Sequence, residues 1–221
     1  TLRFFAWEPA TLSLGYGQPI ADVDQARLAA RGWGLVRRPT GGRAILHTDE
    51  LTYSVAALMD EPRVVGSVVE SYRRLSAGLL AGLQRLGLQA RADRKDPAQT
   101  ARAPDGTPVM NPVCFEVPSD YEITADGKKL LGSAQVRKRG VVLQHGTLPL
   151  AGDITRILDG LAYADAEREG LRARVRSRAA TLADIGIEAT WDEAAEAMAR
   201  GFAEALALGL EPGELSADEQ A

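Results

Sequence analysis

The stretch from Tyr121 to Gln144 constrains the fold most. Three short runs, Tyr121–Thr124, Leu130–Val136 and Val141–Gln144, are separated by Asp126–Gly127 and by Gly140. An Asp-Gly pair supplies the positive φ angles of a tight hairpin turn. Apolar runs bounded by such turns read as strands. The three predict an antiparallel meander. Much of the chain before them has the same texture. Leu2–Trp7, Thr11–Gly15, Leu35–Arg38, Ala44–His47, Glu50–Met59 and Val113–Val117 all read as short strands. Two helices interrupt them. Asp22 or Asp24 caps one that runs to about Arg31 and stops at Gly32 and Gly34. Ser67–Leu86 is the other, with Val68, Tyr72, Leu75, Leu79, Leu83 and Leu86 recurring at helical spacing and Gly87 as its stop.

After Asp153 the pattern turns helical. Ile154–Leu161 and Ala164–Arg176 are predicted helices. Thr190 and Glu193 have capping-box spacing ahead of a third helix, with Ala195, Met198, Phe202 and Leu206 on one face and Gly209 and Pro212 at its end. Gln89–Pro108 is polar and broken by prolines, and reads as a surface excursion or mobile loop. The expected class is α/β (α+β): a mixed, largely antiparallel sheet flanked by helices, with a helical C-terminal segment. The expected organisation is a catalytic domain at 1–152 and a helical extension at 153–221 packed on that same domain.

Composition narrows the function. A length of 221 residues suits one large domain or two small ones. No apolar run approaches the roughly 18 residues that a membrane span needs. A net charge of −4 argues against a general nucleic-acid binder. The cations are clustered all the same: Arg37, Arg38 and Arg43 in one segment, Lys128, Lys129, Arg137, Lys138 and Arg139 in another. Such clusters suit an anionic ligand or an acidic partner, or else mark a solvated edge strand. The single cysteine fits a reducing compartment, and a cytoplasmic location is expected. The chain starts without Met on TLRFFAW, so its natural N-terminal residues are expected to be missing.

Three segments carry chemistry. In RRPTGGRAILH, Thr40, Gly41 and Gly42 let backbone N–H groups approach an anion, and Arg37, Arg38 and Arg43 are placed to clamp a carboxylate or phosphate. A plain hairpin turn reads the same way. In DGKKLLGSAQ, Lys129 precedes Gly132, Ser133 and Ala134, a backbone stretch with little side-chain cover. The third is Cys114, the only cysteine. A lone thiol is either a small buried hydrophobe or a nucleophile. Lys128, Lys129, His47 and His145 are the groups able to give it thiolate character. Neither histidine has metal-ligand spacing, so no metal is expected.

Taken together and in order, these segments resemble the lipoate-protein ligase and octanoyltransferase family, which also includes the biotin protein ligases. RRPTGGRAILH is similar to the family signature RRxSGGGAVxH, and DGKKLLGSAQ to its DG-[RK]-K-[IV]-x-GSA element. FFAWEPATLSLGYGQ resembles the opening strand pair. Arg43 stands where the ATP-dependent ligases usually have a third glycine, and CFEVPSDYE replaces their RNDL-type segment. With LQHGTLPL, these departures look most like the cysteine-dependent octanoyltransferases of the LipM type.

The resemblance implies a biotinyl/lipoyl-ligase-like fold and a two-step acyl transfer. Cys114 is the implied nucleophile and Lys129 the implied cation at the acyl carbonyl. Arg37, Arg38, Thr40, Gly41, Gly42, Arg43, His47, Gly132, Ser133, Ala134 and His145 are the implied substrate-binding residues. The implied donor is an octanoyl acyl carrier protein. The implied acceptor is a lysine of a lipoyl domain or of the glycine-cleavage H protein. No cofactor is required, since a thioester passes downhill to an amide. ATP and Mg would enter only for an ATP-dependent ligase. A carrier-to-carrier amidotransferase and a non-catalytic acyl-binding protein are the remaining alternatives.

Overall fold

The computed structural model describes residues 1–93 and 122–220. In chain order the strands are β1 (Leu2–Phe5), β2 (Thr11–Leu14), β3 (Gly34–Arg37), β4 (Ile45–His47), β5 (Glu50–Leu58), β6 (Arg91–Asp93), β7 (Glu122–Ala125), β8 (Lys128–Lys138) and β9 (Val141–Pro149). The helices are α1 (Gln25–Ala30), α2 (Val68–Arg85), α3 (Asp165–Arg178), α4 (Trp191–Ala205) and α5 (Ala217–Gln220). Among the described residues the large sheet has the order β1-β5-β9-β8-β7-β6, with antiparallel pairing throughout. The small sheet has the order β3-β2-β4, with β2 and β3 parallel across α1. This is the mixed, largely antiparallel architecture that the sequence predicts.

The meander forms where the turns require it. Asp126 and Gly127 have φ of 50° and 74°, and Arg139 and Gly140 have 53° and 78°. Paired positive φ angles match the right-handed twist of the strands they join. The last strand runs further than expected, to Pro149 rather than Gln144. Gly146 looks like a stop in the sequence but is a site of close approach. A Cβ there would collide with the Gly132 carbonyl and come within 2.7 Å of Ser133 Oγ and the Tyr53 ring.

Alternate residues of the large sheet face two different neighbours. Leu51, Tyr53, Leu131, Val142 and Leu148 join Leu75, Leu79 and Leu83 of α2 and Met198 and Phe202 of α4 in the main core. Ser67 with Glu70, and Thr190 with Glu193, close reciprocal caps on α2 and α4. The two helices cross at Gly78, Gly82 and Gly201, with Met198 and Phe202 of α4 packed against the glycines of α2. A Cβ on Gly201 would strike the backbone of Gly78 and Gly82, and one on Gly82 would lie 2.9 Å from Met198 Cα. The buried centre of α4 is therefore Ala194, Ala197, Met198, Gly201 and Phe202, with the predicted Ala195 and Leu206 at its margin.

A second core fills the small sheet. Leu12, Leu14, Leu28 and Leu46 pack with Ile157, Leu158, Leu161 and Val175. The helix predicted at Ile154–Leu161 is a 3-10 helix, Ile154–Gly160, capped by the Asp153 side chain on Thr155 N. The segment after α3 is stitched back onto the sheet by Ala180 N donating to Lys129 O, Leu182 N to Pro149 O and Ala183 N to Leu150 O. Within the expected excursion at Gln89–Pro108, Arg91–Asp93 is a strand paired with β7. Positions 94–108 of that excursion, and the strand predicted at Val113–Val117, lie outside the described residues. Among the described residues no helix is long and apolar enough to cross a membrane.

Candidate active site

The face of the large sheet turned away from α2 carries most of the expected site. Register places Ser54, His145 and Ala134 in one cross-strand row, and Thr52, Thr147 and Gly132 in the next. The loop between β3 and β4 joins this face through Thr40. Thr40 Oγ1 and His145 Nε2 share a 2.6 Å hydrogen bond, and Thr40 is fully buried. Burial, followed by the charges of Arg38 and His47, pushes the His145 imidazole down from 6.5 to about 4. His145 is therefore neutral at physiological pH. Gly41 and Gly42 sit at the exposed rim of the same loop.

The arginines hold this loop from inside. Arg38 Nη1 donates to Ser13 O at 3.0 Å and Ser13 Oγ at 3.1 Å, while Nη2 donates to Gly41 O at 3.0 Å and Arg43 O at 2.6 Å. Arg37 Nη1 donates to the carbonyls of Gly15, Tyr16 and Gln18. Tyr16 N in turn donates to Thr40 O at 2.9 Å. Gly15 lies so close to Gly42 that a Cβ would collide with its carbonyl. Expected from sequence to clamp an anion, Arg37 through its Nη1 and Arg38 through both Nη groups donate mainly to backbone carbonyls. The shape of the ligand-side backbone is fixed by those bonds.

Beneath the loop runs a buried seam. Ser13 Oγ is 2.8 Å from His47 Nε2, and His47 Nδ1 is 2.6 Å from Glu50 Oε1. Thr52 Oγ1 also donates to Glu50 Oε1, and Trp7 Nε1 donates to Thr52 Oγ1. The Trp7 ring stacks on His47 with centroids 4.4 Å apart. Ser13, His47 and Glu50 have the order of a hydrolase triad, but Ser13 is 1 % exposed and bonded to Arg38. The seam ties the small sheet to the large one, and His47 lies within it rather than on the open face.

Lys129 is 5 % exposed and forms an ion pair with Glu122, itself 7 % exposed. Its side chain lies over Gly132: a Cβ at that glycine would be 3.0 Å from Lys129 Cε and 3.3 Å from Nζ. The glycine therefore makes room for the ammonium. Lys129 and Gly132 are brought together, as are Thr40 and His145, on one face. Ser133 points to the other face, where its hydroxyl lies 2.6 Å from Tyr53 OH. Ala134 pairs with His145, and Arg43 is half-buried at the end of the loop. Cys114 lies outside the described residues.

Two residues escaped the sequence reading. Glu122 stands on the opposite arm of the hairpin from Lys129, and a bulge between Ile123 and Thr124 sets their register. An acid seven positions ahead of the lysine, across an Asp-Gly turn, was the available signal. Thr147 is buried beside Gly132, and its hydroxyl has no hydrogen-bond partner among the described residues. Its place in LQHGTLPL, two residues after His145, puts it on the same strand face. Among the described residues no cluster of three or more His, Cys, Asp or Glu could hold a metal ion.

The site can be set beside known proteins. An octanoyltransferase LipM of Kyrpidia tusciae is 47 % identical over 225 residues, covering 100 % of this chain and 80 % of the relative. The octanoyltransferase LipM of Bacillus subtilis is 39 % identical over 226 residues, covering 99 % and 79 %. A bi-partite lipoate protein ligase of Thermoplasma acidophilum superposes with a TM-score of 0.78 at 23 % identity, over 99 % of this chain and 76 % of that one. A lipoate-protein ligase A bound with ATP gives 0.75 at 24 %, over 99 % and 77 %. These two structures share the fold. The model of the lipoyl protein ligase A/B catalytic domain matches residues 1–203. By that match, and by identity to its relatives along the whole of this chain, the chain belongs to the lipoyl protein ligase A/B family.

Proposed function

We propose that this protein is an octanoyltransferase of protein lipoylation, moving an octanoyl group from acyl carrier protein to a lysine of a lipoyl-accepting protein. The observation that carries the reading is the buried Lys129 ammonium laid over Gly132, on the sheet face that also bears His145 and Thr147. A fixed cation held over a glycine suits an acyl carbonyl on which negative charge develops. The octanoyltransferase relatives at full chain coverage favour that acyl group over others.

The reaction has two halves. The thiolate of Cys114, the chain's only cysteine, attacks the donor thioester and displaces the carrier thiol. The acceptor lysine, as a neutral amine, then attacks the new thioester, and the Cys114 thiol leaves as the amide forms. Lys129 stabilises the oxyanion in both halves. The loop at Thr40–Gly42, braced by Arg38, offers backbone donors without rearrangement. Neither half requires ATP. The acceptor in this reading is a lipoyl domain, of the kind paired with the Thermoplasma ligase, or the glycine-cleavage H protein.

Intact-mass measurement after mixing with octanoyl-acyl carrier protein tests the reading. A hydroxylamine-labile octanoyl adduct on Cys114 is expected, absent from Cys114→Ala, whose transfer to a lipoyl domain is lost. A Cys114→Ala chain that transfers at the wild-type rate overturns it. Product formed only with lipoate and Mg·ATP would assign an ATP-dependent ligase instead.

A further inference from the structure

The mechanism places an amine, Lys129, beside an activated acyl group, and this creates a hazard. A neutral lysine in contact with a thioester is itself an acceptor, and the resulting amide would be permanent. Burial makes the hazard worse, because desolvation favours the neutral form of a lysine. Lys129 is nearly fully buried, and the missing side chain of Gly132 lets its Nζ lie close against that residue. The structure supplies a counterweight in the buried carboxylate of Glu122, ion-paired to Nζ. A carboxylate in contact favours the charged form of the lysine. The main chain of Lys129 is fixed as well, its carbonyl accepting from Ala180 N at 3.0 Å.

We propose that Glu122 is a guard: it holds Lys129 as an ammonium, so that the cation steering the acyl carbonyl has no lone pair with which to capture it. The inference rests on the acyl-thioester reading above. It assigns Glu122 a positioning and protonation role exerted through Lys129. The side reaction it prevents is fully balanced. Neutral Nζ adds to the thioester carbonyl carbon, a C–N bond forms and the C–S bond breaks. The thiolate leaves and takes up the proton that the nitrogen loses. The products are an octanoyl amide on Lys129 and a free thiol, with no further reactant. Glutamine at position 122 keeps the size and an acceptor oxygen but removes the charge.

The test uses the full chain and octanoyl-coenzyme A as a small thioester probe. Wild type, Glu122→Gln and Glu122→Asp are incubated with it, treated with hydroxylamine, and mapped by peptide mass. Glu122→Gln is expected to accumulate a hydroxylamine-stable octanoyl amide on Lys129, at least about tenfold above wild type, since removing one partner of a buried ion pair strongly penalises the charged form of the other. Glu122→Asp, which restores the charge, is expected to return Lys129 to near the wild-type level. Exposed Lys138 serves as the internal control. Absence of the stable adduct in Glu122→Gln overturns the proposal. So does equal labelling of Lys129 and Lys138, which would report general exposure. The labile adduct on Cys114 is read in the same samples before hydroxylamine. Its absence from wild type sinks the transfer reading, whereas absence of the Lys129 amide from Glu122→Gln sinks the guard.

Discussion

The two faces of the large sheet are built from alternate residues of the same strands, yet they are held by different forces. Along β9, Val142, Gln144, Gly146 and Leu148 face α2 and α4, while His145 and Thr147 face the loop that carries Thr40. The first face is mainly apolar, with one polar strip through it. Tyr53 OH meets Ser133 Oγ at 2.6 Å, Gln144 Nε2 donates to Tyr53 OH at 3.0 Å, and Gln135 Nε2 donates to Gln144 Oε1 at 2.9 Å. Burial pushes the Tyr53 phenol up to about 12, so it stays neutral. The second face carries directed polar contacts, among them Thr40 with His145 and Glu122 with Lys129. Apolar contacts are many and individually weak, so they set stability. A directed polar contact has one partner, so it sets position. The face against the helices should therefore answer to substitution in stability, and the open face in activity.

The strongest way to break the comparison is on the helix side. Phe202→Ala empties the space against Tyr53, whose ring centroid is 5.9 Å away. It should lower unfolding free energy by about 3–5 kcal/mol, read by urea denaturation, with transfer preserved in whatever remains folded. Next is acidification, which acts on the open face. The imidazole of His145 titrates near 6.5 in the unfolded chain and near 4 in the folded one. Between those values the unfolded chain binds more protons, so stability is complete above about 6.5 and falls as pH drops toward 4. About 2–3 kcal/mol should be lost across that window, and His145→Gln should flatten the dependence.

A matched pair sharpens the contrast. Ser133→Ala removes a partner of buried Tyr53 and should cost about 1–2 kcal/mol in stability while leaving transfer rates near wild type. Thr147→Val removes a buried hydroxyl that has no hydrogen-bond partner among the described residues. Its stability should change by less than about 0.5 kcal/mol. Transfer should fall by about tenfold if that hydroxyl meets the acyl group, as its place beside Gly132 predicts. Equal behaviour of the two variants in both assays would erase the division between the faces.

The sequence displayed these regions unequally. The hairpins were legible because Asp126–Gly127 and Gly140 allow few alternatives to a turn. The helix α2 was legible because its leucines keep strict spacing. The crossing of α2 and α4 was not, because it depends on what Gly78, Gly82 and Gly201 lack, and a missing side chain leaves no periodic signal. In the site, Thr40, His145, Lys129 and Gly132 could be named from their segments. The contact between Thr40 and His145 spans 105 positions, so only the fold could show it. Arg37 and Arg38 looked like ligand clamps because a guanidinium has the same donors whether it meets a phosphate or two carbonyls. Glu122 was hidden because a one-residue bulge decides which residue of β7 meets Lys129.

The bond from Ala180 N to the Lys129 carbonyl also bears on the order of synthesis. A ribosome makes the hairpin bearing Lys129 some fifty residues before Ala180 is added, about 3–10 s earlier at roughly 5–20 residues per second. A nascent chain halted within α3 holds both motifs of the site but not this tether. Such a chain should handle octanoyl thioesters poorly until Ala180 clears the exit tunnel. The segment after α3 should therefore set a delay between the translation of the site and the onset of its chemistry, read by assaying chains stalled before and after Ala180.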